Sequence, residues 1–237
     1  MIILVPSYKR AGEVLTRRWL HDAVLCVHEF EYMEYRDKEG GEIVTMPDNI
    51  RGNMARIRNW MLDYGFSKDD HVVMMDDDIV KVGYRENGSP ISVDEDYFMD
   101  FLKMGFEIAS GAGSKLWGVN VNEANLFYYE WLPISVNVPV LGTLCCHIKN
   151  DLRYDESLSL NEDYDFFLQH CFKYRKVLRF DKWHYIAKHL DMAGGCAAYR
   201  TIDEEKYQSE IMIHKWGNNI VKYDFKKSTN PTLKVPF

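Results

Sequence analysis

The apolar run His71-Val72-Val73-Met74-Met75 ends in three consecutive carboxylates, Asp76-Asp77-Asp78. A strand of this composition is buried in a parallel sheet, and ligands of open parallel sheets bind at the carboxyl ends of the strands. Side chains alternate along a strand, so the spacing predicts Asp76 and Asp78 on one side and Asp77 on the other. Two carboxylates converging on one face repel unless a cation lies between them. A hard divalent ion, Mg²⁺ or Mn²⁺, prefers oxygen ligands and keeps open positions for diphosphate oxygens. A solvated acidic turn is the competing reading.

A second acidic cluster, Asn161-Glu162-Asp163-Tyr164-Asp165, opens an amphipathic segment. A carboxylate at a helix N-terminus is favoured in its ionised form and is well placed, which suits a general base that takes a hydroxyl proton. Asn161 and Glu162 also suit helix capping, although capping does not account for three carboxylates. Arg58 and Lys9 suit phosphate oxygens, the first through bidentate bonds and the second as a point charge, or are surface charges, the reading favoured for Arg56. Tyr8 offers a ring for stacking, and Phe127-Tyr128-Tyr129-Glu130-Trp131 reads as a binding platform or as core.

These residues need elements to place them. Ile2 to Val5, Val24 to Tyr32, Ile43 to Met46 and His71 to Met75 read as strands, followed later by Leu116 to Val121, Ile134 to Val138, Leu141 to Ile148, Val177 to Phe180, Trp183 to Ala187 and Ile220 to Tyr223. Helical spacing appears after Gly52, with Asn53 as N-cap and Gly65 as stop, and again over Asp94 to Ser110, Asn161 to Phe172 and Glu204 to Trp216. Alternation of strand and helix favours an α/β fold with a mostly parallel central sheet flanked by helices. No linker, repeat or low-complexity stretch interrupts the chain, so residues 1–237 read as one domain. Its first half is about 1–115 and its second about 116–225, and a polar tail with Lys226, Lys227 and Lys234 follows, read as mobile.

The composition, 46% hydrophobic and 27% charged over 237 residues, is that of a globular protein. No apolar stretch has the length of a membrane span, and Met1 to Val5 runs into Pro6-Ser7, too short for a signal peptide. Five cysteines without a CxxC pair fit neither a disulfide framework nor a zinc knuckle and predict a cytoplasmic protein. The formal charge of −7 speaks against general nucleic-acid binding but allows a local basic strip, for which Lys222, Lys226, Lys227 and Lys234 are the candidates.

The chain resembles the GT-A glycosyltransferases from end to end. Pro6-Ser7-Tyr8-Lys9-Arg10 looks like the donor-binding loop of that fold, Gly52-Asn53-Met54-Ala55-Arg56-Ile57-Arg58-Asn59 like its glycine-to-Arg-Asn helix, and Asp76 to Asp78 like its metal-binding DxD motif. Pro139-Val140-Leu141-Gly142-Thr143, followed by Asp155-Glu156 and Asn161-Glu162-Asp163, looks like its acceptor-side block. The resemblance makes about 1–115 the donor-binding half, with Arg58 and Lys9 for donor phosphates and Tyr8 for the donor base, and about 116–225 the acceptor and catalytic half, with Trp131 in the acceptor platform. The resemblance implies Asp163 as catalytic base, Asp76 and Asp78 as ligands of Mn²⁺ or Mg²⁺, Asp77 on the donor side, Glu162 and Gly142 on the acceptor side, and a late histidine as third metal ligand. His189 is preferred over His184 because it precedes Asp191-Met192-Ala193-Gly194-Gly195, a stretch suited to closing over a donor.

The implied reaction is transfer from a nucleoside-diphosphate sugar, a UDP-sugar in first place, with inversion at the anomeric carbon. The opening Pro-Ser-Tyr-Lys-Arg is similar to the TET-associated glycosyltransferases of bacteriophages, which implies an acceptor hydroxyl on a hydroxymethylated pyrimidine in duplex DNA. A glycan, lipid or protein acceptor is the alternative. From other classes stand a non-catalytic nucleotide-sugar binder and a metal-dependent nucleotidyltransferase, the latter disfavoured because Pro6 to Glu13 holds only Gly12 where that class carries a glycine-rich phosphate loop.

Overall fold

Short apolar runs, each closed by a polar turn, build the sheet on which everything else rests. The computed structural model describes residues 1–121, 128–188 and 201–236. The strands β1 (Ile2–Pro6), β2 (Val24–His28), β3 (Ile43–Met46) and β4 (His71–Met75) lie parallel in the order β3-β2-β1-β4. The helices α1 (Tyr32–Lys38) and α2 (Met54–Lys68) connect them. Beyond β4 the sheet continues through β9 (Leu144–Ile148), β7 (Leu116–Asn120), β10 (Leu178–Ala187), β5 (Ile79–Glu86) and β6 (Ser89–Ser92), while β8 (Ile134–Val136) pairs with β10. Only β5, β8 and β9 run against the direction of β1, so the sheet is mostly parallel.

Alternation along the strands divides the core in two. Ile3 and Val5 of β1 face a cluster with Phe98, Phe101 and Phe106 of α3 (Glu95–Ala112), whereas Leu4 faces one with Met61 of α2 and Phe166 of α4 (Glu162–Tyr174). The remaining elements are α5 (Ile202–Trp216), β11 (Val221–Asp224) and β12 (Ser228–Leu233), and the last two form an antiparallel hairpin.

Several expected boundaries move. The second strand stops at His28, because the chain turns into a short 3-10 segment and α1. Gly65 does not end α2, which runs to Lys68. A Cβ at Gly65 would lie 2.6 Å from Val72, so the glycine brings the helix close to β4. The strand expected from Leu141 begins at Leu144, and the two strands expected over Val177 to Ala187 are one, with an irregular register between Phe180 and His184. The hairpin β5–β6 was not expected, and the polar tail forms β12 where a mobile segment was expected. Among the described residues no helix is long and apolar enough to cross a membrane, and Cys26, Cys145, Cys146 and Cys171 are buried free thiols.

Candidate active site

The β4 strand delivers its carboxylates into a turn that is pinned from three sides. The Asp76 amide donates to the Thr143 carbonyl at 2.9 Å, Thr16 Oγ1 donates to the Asp76 carbonyl at 2.6 Å, and the Lys188 amide donates to the Asp78 carbonyl at 3.1 Å. Because the strand ends at Met75, the alternation expected for Asp76 to Asp78 does not hold: Asp77 and Asp78 lie in the turn, and both approach Arg10.

Asp77 is buried, accepts a hydrogen bond from Ser7 Oγ at 2.5 Å and pairs with Arg10. Burial pushes its carboxyl up to about 6 against the opposing pull of Arg10 and Ser7. Tyr35 completes this group, sharing a 2.8 Å hydrogen bond with Ser7 Oγ and accepting one from the Arg10 amide at 3.0 Å. Asp78, also buried, lies 3.7 Å from Arg10 Nη1, whereas Asp76 is part-exposed and lies 3.9 Å from Arg58 Nη2.

Pro6 closes β1, and the residues after it diverge. Ser7 and Arg10 turn inward to Asp77, while Tyr8 sets its ring edge-on to His28 and Phe30. Lys9 is exposed, with its amide donating to Glu31 Oε1 at 2.9 Å and its ammonium over the Tyr8 ring. His28, Phe30 and Glu31 therefore join Tyr8 at the carboxyl ends of β1 and β2. Sequence reading missed them because a strand was expected to continue through them.

Arg58 links the first half of the chain to the second. Asn53 caps α2 by accepting from the Arg56 amide at 3.1 Å, and Asn59 exchanges bonds with the backbone of Tyr154 at 2.7 and 3.0 Å, which fixes the helix face that Arg58 presents. Its guanidinium, 5% exposed, donates through Nη1 to the Gly142 carbonyl at 2.8 Å and through Nε to Glu162 Oε1 at 3.2 Å. Arg58 is thus directed at protein groups, in contrast to the phosphate pairing expected for it, and Arg56 is a surface residue that pairs with Glu156 as expected.

Glu162 and Asp163 occupy the first turn of α4. Burial, joined by the neighbouring charge of Asp163, pushes Glu162 up to about 7, opposed by Arg58. Asp163 is also raised, chiefly by burial, while Arg58 and two amides pull the other way: Tyr164 donates to Oδ1 at 2.8 Å and Gly142 to Oδ2 at 3.3 Å. Asp76 is close enough to contribute to that rise, so the two acidic clusters of the sequence meet in space. Burial raises the Tyr185 phenol on β10, and the charges of Asp76, Asp163 and Asp78 add to that rise.

Asp165 faces away from this site. It is fully buried and accepts from Lys215 Nζ, from Trp216 Nε1 at 2.8 Å and from Gln169 Nε2 at 2.7 Å. Asn161 makes no side-chain capping bond, contrary to the capping role expected of it.

Among the described residues no group of three or more His, Cys, Asp or Glu side chains is arranged around a metal position. Asp76 and Asp78 offer two carboxylates, His184 is buried in β10, and His189, Phe127 and Asp191 to Gly195 lie outside the described residues. Trp131 is 77% exposed and stacks on Tyr129 at 5.3 Å, in a turn closed by the Tyr129–Leu132 bridge.

Comparison with known proteins fits this arrangement. The crystal structure of S. aureus TarS 1–349 in complex with UDP-GlcNAc superposes with a TM-score of 0.52 at 12% identity, over 90% of this chain and 67% of that one. The same protein in complex with UDP gives 0.47 at 12% identity, over 91% and 72%, and A197 from STIV gives 0.43 at 13%, over 78% and 84%. No curated protein matches the sequence. The fold is that of a GT-A glycosyltransferase. The sequence profile of the TET-Associated Glycosyltransferase family matches residues 1–195, and the chain belongs to that family.

Proposed function

We propose that the protein transfers a sugar from a UDP-sugar to an acceptor hydroxyl in a single inverting step, with Asp163 as the base. The observation that carries this reading is the placement of Asp163: at the start of α4, held by the Gly142 amide at 3.3 Å, next to Glu162, whose partner Arg58 also approaches Asp76 at the end of β4. Burial raises its pKa, which makes it a better proton acceptor than an ordinary carboxylate. Attack by the deprotonating hydroxyl opposite the departing diphosphate gives inversion.

The donor is assigned to the carboxyl ends of β1, β2 and β4. Tyr8 and Phe30 offer aromatic surface to the base, and Lys9 offers a cation to the phosphates. That TarS is seen in complex with UDP-GlcNAc supports a UDP-sugar here. Asp76 and Asp78 are hard oxygen donors, a set that fits Mg²⁺ or Mn²⁺, and His189 is the candidate third ligand. When bound, such an ion neutralises charge that develops on the leaving diphosphate.

As acceptor we propose a hydroxymethylated pyrimidine in duplex DNA, the one that resemblance to the TET-associated glycosyltransferases implies. The test is incubation with a donor panel and Mn²⁺, in the presence of hydroxymethylated DNA, glycans and lipid-linked saccharides, followed by mass spectrometry of each acceptor. A hexose or pentose mass added to the DNA supports the assignment, while modification of a glycan or lipid alone moves the acceptor there. Release of pyrophosphate in place of nucleoside diphosphate would mark a nucleotidyltransferase.

A further inference from the structure

Beyond the family match, the C-terminal hairpin carries an excess of positive charge. Residues 217–236 hold four lysines, Lys222, Lys226, Lys227 and Lys234, against the single carboxylate of Asp224, in a protein of formal charge −7. The structure makes a hairpin of them. Lys222 stands opposite Thr232, and the Lys234 amide donates to the Ile220 carbonyl at 2.8 Å. Lys222 and Lys234 are therefore diagonal neighbours on one exposed face, and the turn between the strands carries Lys226 and Lys227. Ser228, Asn230 and Thr232 add exposed polar groups along β12.

The opposite face is anchored beside the proposed base. Val221, Tyr223 and Leu233 pack on the core cluster that contains Phe166 and Phe167 of α4. Two further ties hold α5 to the start of α4: the Ser159 amide donates to Gln208 Oε1 at 3.0 Å, and Lys215 and Trp216 bond Asp165. Tyr223 lies near enough to Asp163 for that carboxylate to help raise its phenol, after burial and Glu205. The Tyr223 hydroxyl and the Asn161 amide nitrogen are buried donors with no hydrogen-bond partner, and Asn161 is only 2% exposed. A buried donor without a partner costs about 1–3 kcal/mol, which an acceptor group at this edge of α4 would relieve.

We propose that this C-terminal hairpin is the docking wall for the acceptor and that it holds the phosphodiester backbone of a nucleic-acid strand, with the strand's target nucleotide on the Asp163 side. The exposed lysine face supplies phosphate contacts that carry no sequence information. A chain with net negative charge otherwise repels such a partner, so the hairpin sets the orientation in which it approaches.

This inference rests on the DNA-acceptor reading, and one experiment separates the two. Fluorescence anisotropy of a labelled unmodified duplex is measured with the full chain across a salt series. It is repeated with Lys222→Glu/Lys234→Glu and with Lys226→Glu/Lys227→Glu, all exposed positions, and UDP affinity serves as the control for an intact donor site. The wild type is expected to bind at low salt with a negative log–log slope. Each double variant should lose at least about tenfold in affinity and lower the slope by about two, with UDP binding unchanged. Wild-type-like duplex binding by both variants, with sugar transfer to hydroxymethylated duplex retained, overturns the hairpin and leaves the DNA acceptor standing. Absence of duplex binding by the wild type overturns both. Tighter binding to anionic phospholipid vesicles than to duplex also overturns the proposal, in favour of a lipid-linked acceptor.

Discussion

The guanidinium of Arg58 lies against the backbone of Gly142 so closely that a Cβ at that position would come within 2.1 Å of Nη2. Through this contact one arginine connects the carbonyl of the acceptor-side loop, Glu162 on α4 and, at 3.9 Å, Asp76 at the end of β4. The Gly142 amide faces the other way and donates to Asp163. Glycine is needed here for close approach, since its backbone serves both neighbours at once.

Gly142→Ala should displace Arg58 and leave Glu162 buried beside a misplaced partner. Loss of such a partner costs about 3–5 kcal/mol when the group stays charged, and part of that is relieved by protonation of Glu162. Transfer is expected to fall at least about tenfold with the fold retained. Steady-state rates and the urea midpoint of the variant check this, and unchanged turnover would remove Arg58 from the positioning role.

Local pattern carried much of this arrangement. The runs at Ile2 and His71 announced their strands, Asn53 and Asp94 announced their helices, and the acidic clusters at Asp76 and Asp163 stood out by type and spacing. The partners of Arg58 were not legible, because Gly142 and Glu162 lie 84 and 104 residues away and only the folded sheet brings them to it. The directions of Asp77 and Asp78 were misread for a different reason: strand alternation lapses where the strand ends. The β5–β6 hairpin did carry a local signal, Asn87-Gly88 with both residues at positive φ, which marks a two-residue hairpin turn.

Donor binding should depend on a divalent cation. Calorimetry with UDP is expected to show at least about tenfold tighter binding with Mn²⁺ than with EDTA, because bare carboxylates at the end of β4 repel a diphosphate. Asp76→Asn should remove most of the difference. Equal affinity in both conditions excludes Asp76 and Asp78 as metal ligands.

Glu162 should leave a signature in the pH dependence of stability. Its ordinary value is 4.5, and in the folded chain it is pushed up to about 7. Across that window the folded chain holds a proton that the unfolded chain has released, so this group's contribution makes stability fall as pH rises, by on the order of 3 kcal/mol in all. Glu162→Gln cannot release a proton and should flatten that part of the curve. Urea unfolding of both proteins at about pH 5 and about pH 7.5 measures the two slopes. A wild type and a variant with the same slope would mean that Arg58 keeps Glu162 at its ordinary value.

The last expectation separates two carboxylates of one helix. Asp163→Asn keeps size and most hydrogen bonds but removes the basic oxygen, so UDP binding and the unfolding midpoint should change little while transfer falls by roughly 10²- to 10⁴-fold. Asp165→Asn should behave in the opposite way. Its carboxylate is fully buried and holds Lys215 and Trp216 of α5, so the variant should lose roughly 1–3 kcal/mol of stability and retain transfer at a temperature where it remains folded. Rates measured alongside unfolding curves distinguish the outcomes. If Asp165→Asn abolishes transfer in a folded protein while Asp163→Asn turns over normally, the base has been placed two residues too early. If both folded variants keep full activity, no carboxylate of α4 takes the proton, and an inverting mechanism assisted by a base on this helix is excluded.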